Sequence, residues 1–199
     1  MPAAVCSRLT AGQLADATEL AAEFLGDSGA AALAADFATH PGLAMSLTVD
    51  GAVAGVAFGH ADGAGGATLE GITVDDAHTA HGLGSALLAC FEEAAGHLGY
   101  RNVNLGSGDG YVEHFYVKNG YQQTEYMVVI PDGDRELLDL DGLDVLRERH
   151  PEPDVLVLNI AAPEGYLPAS KAELGERRHA RELCCIFSKP ITPVPARNR

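Results

Sequence analysis

Residues 69–121 hold the one arrangement in this chain that specifies chemistry. Leu69-Glu70-Gly71-Ile72-Thr73-Val74 reads as a strand running through an acidic turn into Thr79-Ala80-His81-Gly82-Leu83-Gly84-Ser85, which opens a long amphipathic helix. A strand that delivers bare backbone amides to a helix start can hold an anionic phosphate. Further along, Phe115-Tyr116-Val117-Lys118-Asn119-Gly120-Tyr121 places a tyrosine near the end of a later helix, where a phenol can supply a proton. Together these segments point to group transfer from a phosphate-tagged donor.

The elements that must position these residues follow from periodicity and breakers. Ala4–Leu9 reads as a first strand. Thr10 is an N-cap for a helix over Ala11–Leu25, and a second helix over Ala30–Thr39 follows the break Gly26-Asp27-Ser28-Gly29. Leu43–Val49 and Ala52–His60 flank Asp50-Gly51, a favoured hairpin turn. Ala67–Asp75 is the next strand. Leu83, Leu87, Leu88, Phe91, Ala95 and Leu98 form the apolar stripe of a helix over Gly82–Leu98. Arg101–Gly106 and Tyr121–Ile130 read as strands around a short helix at Asp109–Asn119. Beyond Pro131, Glu136–Arg149 looks helical, Asp154–Ile160 extended, Pro168–Arg181 helical and Leu183–Lys189 extended. The order implies an α/β fold, a mixed and mostly antiparallel sheet flanked by helices.

Gly82-Leu83-Gly84 alone is a weak signal. A Rossmann fingerprint needs a third glycine where Leu87 stands and an acid further on, where Asn102 and Asn104 lie; a P-loop needs Gly-Lys-Ser/Thr. With its preceding strand and the later tyrosine segment, the stretch resembles the GNAT superfamily of acyl-CoA N-acyltransferases. That family's pattern is Arg/Gln-x-x-Gly-x-Gly/Ala followed by a Phe-Tyr-x-Lys-x-Gly-Phe-like segment. The resemblance is close over 67–130, holds in element order over 3–66, and is loose in the tail. It implies an acetyltransferase core over 1–131, with 132–199 a C-terminal strand-helix-strand elaboration completing the sheet of the same domain.

The resemblance also implies roles. The backbone of Ile72, Thr73 and Val74 would pair with the pantetheine arm of acetyl-CoA. Thr79, Ala80, His81, Gly82, Leu83, Gly84 and Ser85 would surround the pyrophosphate, and Asp109 stands where relatives carry an Asn that contacts the cofactor. Two departures matter: Thr79 replaces the usual Arg or Gln, and His81 stands where another cation is common. The pyrophosphate must then rest mainly on backbone N–H groups and the helix dipole. Tyr116 would protonate the departing thiolate, the alternative being packing against the sheet. Glu70, on the face of Ile72 and Val74 by alternation, would sit in the substrate cleft as amine anchor or base, the alternative being a charged guard at a sheet edge. Asp109 has a rival reading as an N-cap, His81 and His114 as bases are weaker assignments, and Lys118 is a phosphate contact or a solvated lysine.

Composition bounds the partners. The chain has 199 residues, 28 acidic and 13 basic, for a net charge of −15. Residues 1–131 hold 15 acids against Arg8, Arg101 and Lys118, a net of −12. Such a surface repels nucleic acid and anionic lipid and favours amine-bearing partners. It also suits a salt-rich cytoplasm, as in a halophile. No apolar run reaches membrane-span length, and the start lacks a signal peptide's basic and apolar regions, so a cytoplasmic protein is expected. Cys6, Cys90, Cys184 and Cys185 lack metal-ligand spacing and are expected to be reduced; no metal site is expected. The expected activity is N-acetyl transfer from acetyl-CoA to a primary amine, small-molecule or peptide, by direct attack. The alternative is a non-catalytic acyl-CoA-binding or partner-binding module of the same fold. Homodimerisation through the last strands is common in such folds.

Overall fold

The computed structural model describes residues 4–108, 110–137, 140–167, 170–172, 174 and 182–194. They divide into two compact units, one of residues 1–104 with 190–199 and one of residues 105–189.

In the first unit, β1 (Ala4–Arg8) pairs antiparallel with β2 (Ala44–Val49), and β2 with β3 (Ala52–Ala61). Asp50 at φ 52° and Gly51 at φ 88° close the hairpin as a primed turn. β4 (Ala67–Val74) runs antiparallel to β3, and the first residues of β5 (Asn102–Ser107) run parallel to β4. β2 and the middle of β3 are buried residue after residue, as strands covered on both faces must be. The cover comes from two helices, α1 (Leu14–Thr39) and α2 (Leu83–His97). Leu20, Leu33, Val56 and Phe58 centre the core under α1, and α2 buries Leu87, Leu88, Phe91 and Ala95. Leu98, on the stripe by spacing, is 47% exposed because the helix has already ended at His97.

The two helices expected at 11–25 and 30–39 meet at a kink within α1. Thr10 N–H and its hydroxyl both bond Gln13 Oε1, in a 3-10 turn that leads into α1. The break narrows to Gly26, whose φ of 73° and ψ of 178° are open to glycine and strained for other residues.

β4 departs from simple alternation. Phe58 faces Gly71 but Gly59 faces Leu69, so Glu70 is an extra, unpaired residue in β4. Two glycines make this bulge: a Cβ on Gly59 would lie 1.9 Å from Thr68 O, and one on Gly71 2.5 Å from Phe58 Cζ. A bulge bends its strand and ends regular pairing locally. β5 correspondingly pairs with β4 only at Ala67↔Val103 and Thr68↔Asn104, before the bulge.

In the second unit, β6 (Gln122–Pro131) lies between β8 (Val155–Ala161) and β9 (Glu182–Pro190), and β7 (Val145–Glu152) pairs with β8, all antiparallel. α3 (Gly110–Lys118) packs on β6. The helix expected over 136–149 is corrected: a 3-10 turn covers Asp132–Leu137, and Val145 onward is strand. β8 offers a long hydrogen-bonding edge, and Arg147 bonds Glu125 Oε2 at 2.8 Å while Arg149 bonds Asn159 Oδ1 at 3.2 Å. Cross-strand pairing therefore overrides helix propensity here. The helix expected over 168–181 lies almost wholly outside the described residues.

Candidate functional site

Past the bulge, Gly71, Ile72, Thr73 and Val74 bond to β3 on one side and have no β5 partner on the other among the described residues. A half-buried strand with one free row of backbone N–H and C=O groups is a template for an extended, amide-bearing ligand. β4 then enters a 3-10 turn, Asp76–His81, capped by Asp75, whose carboxylate accepts from Ala77 N–H at 2.8 Å. Thr79, Ala80 and His81 lie on this turn. Gly82, at φ 73° and ψ 10°, turns the chain into α2. The first intrahelical bond there is Ala86 N–H to Gly82 O at 3.2 Å. The N–H groups of Leu83, Gly84 and Ser85 therefore have no acceptor within the helix. No acid lies in that first turn, and the helix dipole favours an anion there. The sequence from 9 to 100 contains no Lys or Arg, so within this stretch backbone amides are what an anion would meet.

Glu70 is not in register with Ile72 and Val74 as alternation predicts, because the bulge inserts it between paired residues. Its exposed side chain lines a pocket of about 270 Å³ with Leu25, Ser28, Gly29, Ala32 and Phe58. Residues on both sides of the Gly26 kink thus form the wall opposite Glu70. A carboxylate at the edge of such a pocket, lined about equally by polar and apolar surface, can attract an ammonium or, through a water, accept its proton.

Tyr116 lies on α3, in the second unit. Its side chain is 6% exposed, with ring centroids 5.8 Å from Tyr121 and 6.0 Å from Phe187. Burial pushes its phenol up to about 12, so it is held protonated at neutral pH. The packed ring thus carries a phenol that stays neutral. Asp109 lies outside the described residues. His114 is exposed and stacks edge-on against Tyr166 with centroids 5.3 Å apart. Lys118 is exposed at the last residue of α3.

One cluster was illegible in the sequence. Glu113, one turn before Tyr116, is completely buried and accepts from Lys171 Nζ at 2.5 Å; the same ammonium donates to Gly108 O at 2.8 Å. Burial and then the neighbouring Glu113 carboxylate raise the Tyr166 phenol. Burial, more than that carboxylate, pushes the Cys185 thiol up to about 12. A glutamate on a short helix and a lysine 58 residues away give no local signal of pairing. All four cysteines are free, as expected. No metal-binding group of His, Cys, Asp or Glu occurs among the described residues, and no helix among them is long and apolar enough to cross a membrane.

Residues 43–123 match the family model described as acetyltransferase (GNAT) domain. None of the curated proteins matches the chain. Among solved structures, Ard1 from Thermoplasma volcanium superposes with a TM-score of 0.61 at 15% identity, covering 95% of this chain and 98% of that one. The ribosomal-protein-S18-alanine N-acetyltransferase from Escherichia coli gives 0.57 at 18% identity, with 99% of each chain covered. A GNAT superfamily phosphinothricin acetyltransferase from Sinorhizobium meliloti, solved in complex with AcCoA, gives 0.55 at 16% identity and covers 98% of this chain and 92% of that one. At these identities the likeness is one of fold. The family match thus covers residues 43–123, and the solved structures share the chain's fold.

Proposed function

We propose that the chain transfers the acetyl group of acetyl-CoA to a primary amine by direct attack. The observation that carries the proposal is the unpaired edge of β4 at residues 71–74, leading into the open N-terminus of α2. That edge suits the amide-bearing pantetheine arm, and the N–H groups of Leu83, Gly84 and Ser85 suit the pyrophosphate. Glu70 receives the amine from its pocket. Once the amine is neutral, its nitrogen lone pair attacks the thioester carbonyl. The carbon–sulfur bond breaks, the departing thiolate takes a proton, and the new amide nitrogen gives one up. The products are an acetylated amine and free CoA, with one proton released overall. Tyr116 is the proton donor in this proposal, a part supported by its motif and its protonated state. A thioester is already activated, so positioning and backbone amides can supply the catalysis.

A second reading, an acyl-CoA-binding module without chemistry, draws on the absence of Lys and Arg between residues 9 and 100. The test is incubation with acetyl-CoA and a panel of primary amines, following thiol release and product mass. Equal amounts of thiol and acetylated amine are expected. Binding of acetyl-CoA without turnover would favour the second reading, and absence of both binding and turnover would overturn the proposal.

A further inference from the structure

We infer that the amine arrives on a small, apolar, singly charged group, and that Leu25, Gly29 and Gly71 set this limit. The inference rests on the acetyl-transfer reading and names its acceptor class.

The pocket beside Glu70, about 270 Å³, falls just under the roughly 300–1,000 Å³ of sites that take drug-sized ligands. Glu70 is its single ionisable lining residue and Ser28 supplies its single side-chain hydroxyl; Leu25, Ala32 and Phe58 supply its apolar side chains, and polar and apolar surface are about equal in the lining. A second ammonium there would find no second acid in the lining. A carboxylate next to the amine, as in a free amino acid, would face the Glu70 carboxylate. Both are disfavoured, whereas a primary ammonium on a few uncharged carbons meets one acid and the apolar side chains of Leu25 and Ala32.

The wall is fixed by close approaches. With the chain kinked at Gly26, a Cβ on Gly29 would lie 2.4 Å from Leu25 Cβ, so Leu25 and Gly29 are already at their limit. Across the pocket, a Cβ on Gly71 would lie 3.0 Å from Leu25 Cδ1 and 2.5 Å from Phe58 Cζ. Phe58 has no exposed surface and no room to retreat. The Leu25 side chain is thus the one large group whose trimming would widen the pocket without breaking the bulge.

Shared chemistry leaves two sources, a free amine or a peptide N-terminus, and the test separates them. The native protein is given acetyl-CoA with alaninamide, an alanine-initiated tetrapeptide, phenylalaninamide, free alanine or spermidine, and kcat/KM is read from product mass. Alaninamide or the alanine-initiated peptide is expected to lead the other three at least tenfold, within the roughly 10–200-fold that pocket fit supplies. Whichever leads identifies the source. Leu25→Ala, or the milder Leu25→Val, is expected to raise phenylalaninamide relative to alaninamide by about tenfold for the larger truncation. Equal use of phenylalaninamide, alanine or spermidine by the native protein would overturn the inference. So would a phenylalaninamide ratio left unmoved by both Leu25 variants. If no arm gives product, the acetyl-transfer reading fails, and the pocket is then judged by binding. Saturable amide shifts at Gly29 and Gly71 with propylammonium but not spermidine sustain it; shifts with both or neither overturn it.

Discussion

Lys171 Nζ lies 2.5 Å from Glu113 Oε1, and the carboxylate it meets is completely buried. The pair joins two segments of the second unit that are far apart in sequence, since the same ammonium also holds Gly108 O at the approach to α3. Removing one partner of such a pair strands the other charge in a low-dielectric setting. Lys171→Met is therefore expected to cost about 3–5 kcal/mol of stability. Replacing both partners, as Glu113→Leu with Lys171→Met, should recover most of that loss. Denaturant unfolding of the two variants and the native chain checks both numbers. A single variant as stable as the native chain would show that the pair is not desolvated.

Glu70 should act on the acceptor and leave the donor alone. Glu70→Gln keeps the shape of the side chain and removes the charge facing the amine. A charged hydrogen bond contributes about 1.5–3 kcal/mol, so kcat/KM for the amine should fall at least about tenfold. KM for acetyl-CoA should stay within about twofold, because the donor's proposed contacts are backbone groups. Steady-state kinetics with each substrate varied separately reads the split, and an equal loss on both substrates would place Glu70 elsewhere in the reaction.

Tyr116→Phe separates chemistry from packing. General acid catalysis contributes about 10²–10⁴-fold, so kcat should fall by about 10²-fold or more with little change in either KM. Stability supplies a second readout. The native phenol is raised to about 12 by burial, against an unfolded value near 10. Because the folded form holds its proton more tightly, this stabilisation is complete below about pH 10. It is lost as pH rises toward 12, by roughly 2–3 kcal/mol. Unfolding curves from pH 8 to 12 should show that loss in the native chain relative to the Phe variant. Unchanged turnover in Tyr116→Phe would leave the ring with packing alone.

Donor affinity should rise with salt. The anion-binding turn and α2 belong to a stretch without Lys or Arg, in a chain of net charge −15, so the long-range field repels a polyanionic donor. Screening weakens that repulsion while the backbone contacts persist. The Kd for CoA should fall by about three- to tenfold between 50 and 500 mM potassium chloride. Calorimetry across that range is sufficient. A Kd that rises with salt would reveal cationic contacts.

Legibility followed the range of the forces involved. The hairpin at Asp50-Gly51, the stripe on α2 and the glycine at its start are local signals, and all three appear in place. Between Gly26 and Gly29 the sequence shows a broad break, because it cannot tell a loop from a single residue at positive φ. The bulge at Glu70 was hidden because its cause is the approach of Gly59 to Thr68 O across the ladder, a non-local contact. Alternation alone therefore gives Glu70 the wrong register. Residues 145–149 carry a plausible helical pattern, yet an unfilled edge on β8 recruited them as a strand. Glu113 carried no signal in the sequence because nothing near it in the chain announces Lys171.

The chain has only three lysines, and they are unequal: Lys118 is exposed, Lys189 sits with its Nζ 5.5 Å from the centre of the Tyr121 ring, and Lys171 is engaged with Glu113. In the proposed reaction the acylating thioester therefore meets few lysine side chains of the protein itself. Stray self-modification would fall first on Lys118, and a mass shift at Lys171 would report that the second unit had opened.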